Sequence, residues 1–297
     1  MNARLRWLAL LVLVGACHRT AAPSNGAADF VDPDGHPVAV HLPVHRIIST
    51  MQSETEWLVK MGDAHLLVAR TDYDRQPELA SLPSIGGGLD PSAEAVAALK
   101  PDVVIGWRIR SSSDLAHALV PFHIPVLSFE TTDTADLFRN LSRLGTLVGQ
   151  QHLADSLATD LRTQLAEVRR SSCGTDTTRQ SVLVVLSTDP PMTAGGGTWL
   201  SSLLDTACLR NVFEDLAGAW PTVSLEAISQ RQPQWLLVSR GVPGQELAKL
   251  RAAPGWRDLD AVKAGRLIEV SSDLISRAGP SLGAAARAIV AARWAAR

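Results

Sequence analysis

The sequence predicts an α/β protein of two lobes with parallel sheets, joined once by a long helix. Three observations carry this. Short apolar runs alternate with amphipathic segments up to about residue 130 and again after residue 180. Residues 133 to 170 hold no strand candidate, and Leu153, Leu157, Leu161 and Leu165 recur there four apart. One piece of chain also occurs twice. "PSAEAVAALKPDVVIGW" (91–107) and "VSLEAISQRQPQWLLVS" (223–239) align Ser92 with Ser224, Glu94 with Glu226, Ala95 with Ala227 and Pro101 with Pro233.

The elements follow in order. Residues 1–17 are read as a lipoprotein signal peptide. Arg4 and Arg6 precede the apolar run "WLALLVLV", which is too short to span a bilayer, and "VGAC" resembles a lipobox that would be lipidated at Cys17. Residues 18–28 are a flexible tether. The first lobe, 29–148, opens with the hairpin "FVDPDGHPVAVHL", turning at Asp-Pro-Asp-Gly. "RIIST" and "LLVAR" are strands. Between them, "SETEWLVKMG" is a helix that starts at a Ser/Glu cap and stops at Gly62. "DPSAEAVAALK" is a helix with Asp90 as cap and Pro91 at its first position. "PDVVIGW" is a strand, "SDLAHALV" a helix and "PVLSF" a strand, and such alternation implies a parallel sheet covered by helices.

"TADLFRNLSRLGTLVG" is amphipathic. The bridging helix, 149–171, follows it and would be about 30 Å long at roughly 1.5 Å per residue. The second lobe, 178–297, restarts with the strand "SVLVVLS". It continues through "GTWLSSLLDTACL" and "SLEAISQRQ" as helices, "QWLLVS" as a strand, "QELAKLRAA" as a helix, "GRLIEVS" as a strand, and a terminal helix from about Pro280.

Composition narrows the function. The chain has 297 residues, enough for two domains, with 46% hydrophobic and 20% charged residues and a formal net charge of -2. The signs are interspersed, which is not the footprint of a nucleic-acid binder. Arg287, Arg293 and Arg297 fit a solvated outer face of the terminal helix. All eight histidines lie at or before His152, so no histidine-rich metal site converging from both lobes is expected. An enzyme is not expected either. "GGGTWLSSLL" lacks the Gly-Lys-Ser/Thr ending of a P-loop, Leu200 breaks G-x-G-x-x-G, and no G-x-S-x-G is present.

Cys17 aside, Cys173 and Cys208 remain. Cys173 lies in the loop before "SVLVVLS", and Cys208 ends the helix that follows that strand. A helix in a βα unit runs back toward the start of its strand, so the two sulfurs can be neighbours. A disulfide and a pair of free thiols both fit this placement.

"TDYDRQPE", "LPSIGGGLDPSAEAVAALKPDVVIGW", "PPMTAGGGTWLSSLLDTACLRNVFED", "WPTVSLEAISQRQP" and "SSDLISRAGPSLGAAA" together resemble the periplasmic binding proteins that deliver vitamin B12 to ABC importers. The likeness covers residues 29 to 290. It extends to the wider helical-backbone group, whose members also take haem, iron-siderophores and metal ions. It implies two Rossmann-like lobes bridged by one backbone helix, with ligand in the cleft between them. Ligands of open α/β sheets gather beyond the carboxyl ends of the strands, which agrees.

The resemblance implies that Tyr73, Met192, Trp220 and Asp273 face the ligand. Trp107, at the carboxyl end of its strand, is expected to be a cleft wall that contacts the ligand, with plain core as the alternative. The ligand implied is cobalamin or a related corrinoid, a large body whose apolar flanks and amide rim suit aromatic walls with a few polar tips. Leu274 and Gly86, Gly87 and Gly88 stand where cobalamin-binding relatives often have tryptophan, so the pocket has less aromatic wall. Haem and ferric siderophores are the alternatives, and Tyr73 could serve haem as axial ligand. Glu94 and Glu226 lie in the first turns of the repeated helices, and at these positions the family salt-bridges to arginines of a dimeric permease. The expected protein is thus an exported, membrane-anchored monomer with no resident cofactor, a small-molecule ligand and a permease partner.

Overall fold

A computed structural model describes residues 27–31, 35–108, 110–173, 179–240 and 245–296. The signal peptide with Cys17, the tether through residue 26, hairpin residues 32–34 and Arg297 lie outside the described residues. Strand β1 (Ala27–Val31) begins inside the stretch read as tether. It pairs antiparallel with β2 (Pro37–His41), which sets Ala27 opposite His41.

The first lobe contains β3 (Ile47–Ser49), α1 (Gln52–Lys60), α2 (Ala93–Ala98), β4 (Val103–Trp107), α3 (Arg110–Leu119) and β5 (Val126–Phe129). Its strands form one parallel sheet in the order β3-β4-β5. Three local expectations differ. "LLVAR" forms no strand: it makes only single-residue bridges, Leu67 to Ile47 and Arg70 to Ser84, because the chain leaves the sheet edge to pair with the 83–85 segment. The cap of α2 is Ser92 rather than Asp90, its Oγ accepting the Ala95 N–H at 3.2 Å. No side chain caps α1, whose N-cap is Met51.

Two helices then run without a strand between them. In α4 (Thr134–Leu147) a capping box pairs Asp133 with Asp136 at the start. The bridging helix α5 (Gln151–Cys173) has 23 residues, about 34 Å at roughly 1.5 Å per residue. A Cβ on Gly145 would collide with the Ala154 methyl, so the glycine lets α4 approach α5 closely.

The second lobe comprises β6 (Gln180–Val185), β7 (Ser187–Thr188), β8 (Pro191–Met192), α6 (Trp199–Thr206), β9 (Leu209–Asn211), α7 (Leu225–Arg231), β10 (Trp235–Arg240), α8 (Gln245–Ala252), α9 (Asp260–Lys263), β11 (Leu267–Ser271), α10 (Ser272–Ile275) and α11 (Leu282–Ala295). Its parallel sheet has the order β11-β10-β6-β9. Strand β9 has no counterpart among the elements expected from sequence, because its three residues are too short to show alternation.

Period-2 alternation distributes the strand side chains over three apolar clusters. Ile47, Val103, Ile105, Leu127 and Phe129 of the first sheet join one central core with Val182, Val184, Leu237, Ile268 and Val270 of the second. Leu141 and Leu144 of α4, Leu161 and Leu165 of α5, and Leu282 and Ile289 of α11 belong to the same core. The alternate residues face outward into two satellite cores: Ile48, Val104 and Val126 into one, Leu183, Leu236 and Val238 into the other.

Two further expectations change here. Arg293 is not solvated. It is 4% exposed, and its guanidinium donates to the Ala207 and Cys208 carbonyls, which terminate α6. Cys173 is the last residue of α5 rather than a loop residue. It is joined to Cys208 with the Cα atoms 5.2 Å apart.

α1 also buries a carboxyl group. Glu54 is 2% exposed and accepts hydrogen bonds from Ser53 Oγ and, at 3.3 Å, from Asn140 Nδ2 of α4. Burial pushes its pKa from 4.5 up to about 7, against the opposing pull of the Ser53, backbone and Asn140 hydrogen bonds and the Arg143 charge. The folded value exceeds the unfolded one. The stability linked to this group is therefore full below about pH 4.5 and is lost as pH rises through about 7, to a total of roughly 3 kcal/mol. Glu54→Gln should raise the urea-unfolding free energy at pH 8 and change it little at pH 4.5. A variant that keeps the parent's pH profile would refute the assignment.

Candidate functional site

The loops that follow the strands at their carboxyl ends build a cleft between the lobes. On the first lobe, the turn "TDYD" is fixed by its own side chains. Asp74 Oδ2 accepts from both the N–H and the Oγ1 of Thr71 at 2.7 Å, and Thr71 Oγ1 accepts the Tyr73 N–H at 3.3 Å. Gln52 of α1 donates to the Tyr73 carbonyl at 2.6 Å. The glycine loop lies alongside, with Asp72 N–H donating to the Gly86 carbonyl. Gly88 has φ +83°, and a Cβ there would fall 2.7 Å from the Thr50 carbonyl oxygen, so a side chain is excluded by backbone. These bonds hold the Tyr73 ring outward, 57% exposed.

On the second lobe, four backbone hydrogen bonds join the Met192 strand and its glycine run to the Trp220 loop. Val223 N–H donates to Pro191 at 2.9 Å, Thr193 to Pro221 at 3.1 Å, Gly195 to Ala219 at 2.9 Å and Gly196 to Leu216 at 3.1 Å. This approach tolerates no side chain. A Cβ on Gly195 would collide with the Gly218 carbonyl oxygen, and one on Gly196 with that of Glu214. The glycines are thus a backbone seat for the Trp220 loop, not a phosphate cradle.

Two recesses result. A polar one of about 610 Å³ takes Tyr73, Gln52 and Arg75 from the first lobe and Ser272, Asp273 and Arg277 from the second. An apolar one of about 260 Å³ is walled by Met192, Trp199, Leu200, Trp220 and Ile275. Ser276 lines both, so they adjoin. Four sequence-predicted residues are therefore brought to one region: Tyr73 and Asp273 in the polar part, Met192 and Trp220 in the apolar part. Trp107 lines neither recess. Expected as a cleft wall, it is instead half-buried against the central core, because its neighbours at the end of β4 belong to that core. Leu274 packs against the same core.

Sequence reasoning missed the pair at the cleft floor. Arg277 meets Glu56 of α1 across the lobes, Nη2 to Oε1 2.5 Å and Nε to Oε1 2.7 Å, with both side chains largely buried. Each residue follows a strand's carboxyl end, which is the one signal that could have found it. Their partnership spans 221 residues and leaves no trace in the sequence.

The repeated helices are matched in detail. Ser224 Oγ caps α7 by accepting the Ala227 N–H at 3.0 Å, as Ser92 caps α2. Glu94 is exposed and Glu226 lies in the equivalent first turn. The Glu94 carboxyl sits below the usual carboxylate range because its own backbone N–H and the Ser92 hydroxyl, 2.8 Å away, stabilise its charge.

Comparison with known proteins agrees with this architecture. The chain belongs to the periplasmic binding protein family, whose model matches residues 47–274. A vitamin B12-binding protein of Pectobacterium carotovorum is 28% identical over 245 residues, covering 82% of this chain and 86% of that one. An uncharacterised ABC transporter substrate-binding lipoprotein, YvrC of Bacillus subtilis, is 25% identical over 93% of this chain and 92% of its own length. The solved structure of a periplasmic haem-binding protein from Pseudomonas aeruginosa superimposes with TM-score 0.74 at 26% identity, covering 85% of this chain and 93% of that one. Among the described residues, no helix is long and apolar enough to cross a membrane.

The glycine seat gives a local test. Gly195→Ala should displace the Trp220 loop and lower unfolding free energy by roughly 1–3 kcal/mol. Gly197, where a Cβ would meet nothing within 4 Å, should accept alanine within about 0.5 kcal/mol. Equal stability of the two variants in urea denaturation would reject the seat.

Proposed function

We propose that this chain is the substrate-binding component of an ABC importer and that it captures cobalamin or a related corrinoid without chemical change. One observation carries the reading: a polar recess spanning both lobes adjoins an apolar one walled by Trp220, Trp199 and Met192. A corrin offers the same two aspects, apolar flanks against aromatic walls and an amide rim against Asp273, Ser272, Gln52 and Tyr73. The likeness to vitamin B12-binding relatives over four fifths of the chain supports it. Haem is the second reading. The exposed Tyr73 phenol stands inside the polar recess where an axial oxygen ligand is needed, and a haem-binding protein shares the fold.

Export and anchoring complete the proposal. "VGAC" offers Cys17 for lipidation, and the Bacillus subtilis relative is named a lipoprotein. The mature chain would then be a body held at the cell envelope, delivering its ligand to a permease dimer. Glu94 and Glu226 would dock it. Their support is the equal placement of two acids in two identically capped helices, a pair that a two-fold symmetric permease can meet with two basic pockets.

Protein incubated with cyanocobalamin, haem and a ferric siderophore should emerge from gel filtration with one corrinoid per chain. Trp220→Ala should weaken that binding by roughly 1–3 kcal/mol. A stoichiometric haem complex that Tyr73→Phe abolishes would replace the corrinoid reading. Glu94→Lys with Glu226→Lys should leave ligand affinity unchanged and abolish uptake by cells. Wild-type uptake by the double variant would reduce both acids to ordinary helix starts.

A further inference from the structure

The far side of the first lobe carries a second surface. A cavity of about 790 Å³ opens where the strands begin: Pro43 and His45 precede β3, Pro101 and Asp102 precede β4, and Ile124 and Pro125 precede β5. It therefore lies at the opposite end of the sheet from the ligand cleft. Beside it, the turn after α3 projects two large apolar side chains, Val120 at 65% and Phe122 at 53% exposure. Soluble surfaces usually scatter such residues, whereas here two share one turn.

The cavity is lined by one lysine, three histidines and one carboxylate. Lys100 is exposed with φ +47° and makes no ion pair among the described residues. Arg46 lies against it, donating to the Lys100 and Leu99 carbonyls. His41, His45 and His123 line the same cavity. Its one carboxylate, Asp102, is committed: Oδ2 accepts the backbone N–H groups of His45 at 2.7 Å and Arg46 at 2.9 Å.

The chain terminus points to the occupant. Ala27 pairs with His41 at the rim of this cavity. Cys17 lies ten residues earlier, within about 36 Å along a fully extended chain. A membrane holding the chain at Cys17 would thus be within reach of this face.

We propose that the amino-terminal edge of the first lobe is a resting surface for an anionic phospholipid bilayer. Val120 and Phe122 enter the interface, while Lys100, Arg46 and the three imidazoles meet phosphate headgroups. The ligand cleft then points away from the bilayer, so resting on lipid and docking to a permease through the cleft side exclude each other. The surface itself goes beyond the transport reading; only the reach argument rests on the anchor at Cys17.

The test uses the chain as processed in cells, mixed with phosphatidylglycerol–phosphatidylcholine vesicles or with phosphatidylcholine vesicles alone. Hydrogen exchange should slow in residues 118–124 on the anionic vesicles and not on the neutral ones. Val120→Ser with Phe122→Ser should remove the protection, and both side chains are exposed enough for folding to be unaffected. Lys100→Glu should weaken vesicle binding roughly tenfold. Equal exchange on the two vesicle types, or protection that survives both sets of substitutions, would overturn the proposal. So would the same protection appearing without vesicles as protein concentration rises, which marks a second copy as the occupant. Cys17→Ser separates the two ideas. If the anchor is absent, this variant behaves as the parent, and lipid-specific protection of 118–124 still supports the surface.

Discussion

Both parallel sheets bury one face in a single apolar layer, and the placement of the lobes rests on it. Each sheet turns one set of alternate side chains toward the helices α4, α5, α6 and α11, and the buried seam of α5 runs through the result. Ala154, Ala158, Leu161, Leu165 and Val168 of that seam are all at most 9% exposed. Since the sheets are embedded in the same core, a large change in the angle between the lobes would open it. The apolar area at risk makes a wide hinge costly at roughly 25 cal/mol per Å² and favours small closure motions. The Glu56–Arg277 pair adds a polar contact between the lobes on the cleft side.

That rigidity shapes the site. A cleft that moves little must be formed in advance, and the loops that line it are held by backbone. The Tyr73 turn is closed by Thr71 and Asp74, and the Trp220 loop is bonded along the Met192–Gly196 strand. Preformed walls reduce the ordering cost of binding. The cleft joins a polar recess to an apolar one, the division on which the proposed function rests.

The duplicated motif shows what repetition does physically. In both lobes a serine caps a short helix, a glutamate occupies its first turn, and a proline separates it from a buried strand. The cap and the proline are sufficient reasons for the local structure. The glutamates contribute little to it: at a first turn an acid stabilises a helix by about 0.3–1 kcal/mol. Neither is drawn into the core, which leaves both available to a partner.

Sequence alone decides the α/β alternation, the long helix and the repeated capped helices, because apolar periodicity and caps are local properties; Tyr73, Met192, Trp220 and Asp273 are singled out by family resemblance and not by any local pattern. Short-range physics also places the strands that are both apolar and bounded by turns. It fails where tertiary contacts rule. "LLVAR" has strand composition but only bridges its neighbours, because the chain leaves the sheet edge after Leu67 to pair with the 83–85 segment. Arg293 reads as a surface arginine on the sequence, yet it is buried because α6 ends beside it with carbonyls that need a donor. Trp107 is legible as the end of a strand but not as wall or core, since that depends on which neighbours reach it. Long-range packing pairs Glu56 with Arg277, sets the glycine run under the Trp220 loop, and gathers Lys100, His41, His45 and His123 around one cavity. Each of these joins residues distant in sequence, and no local pattern records which distant segments the packing of a shared core will bring together.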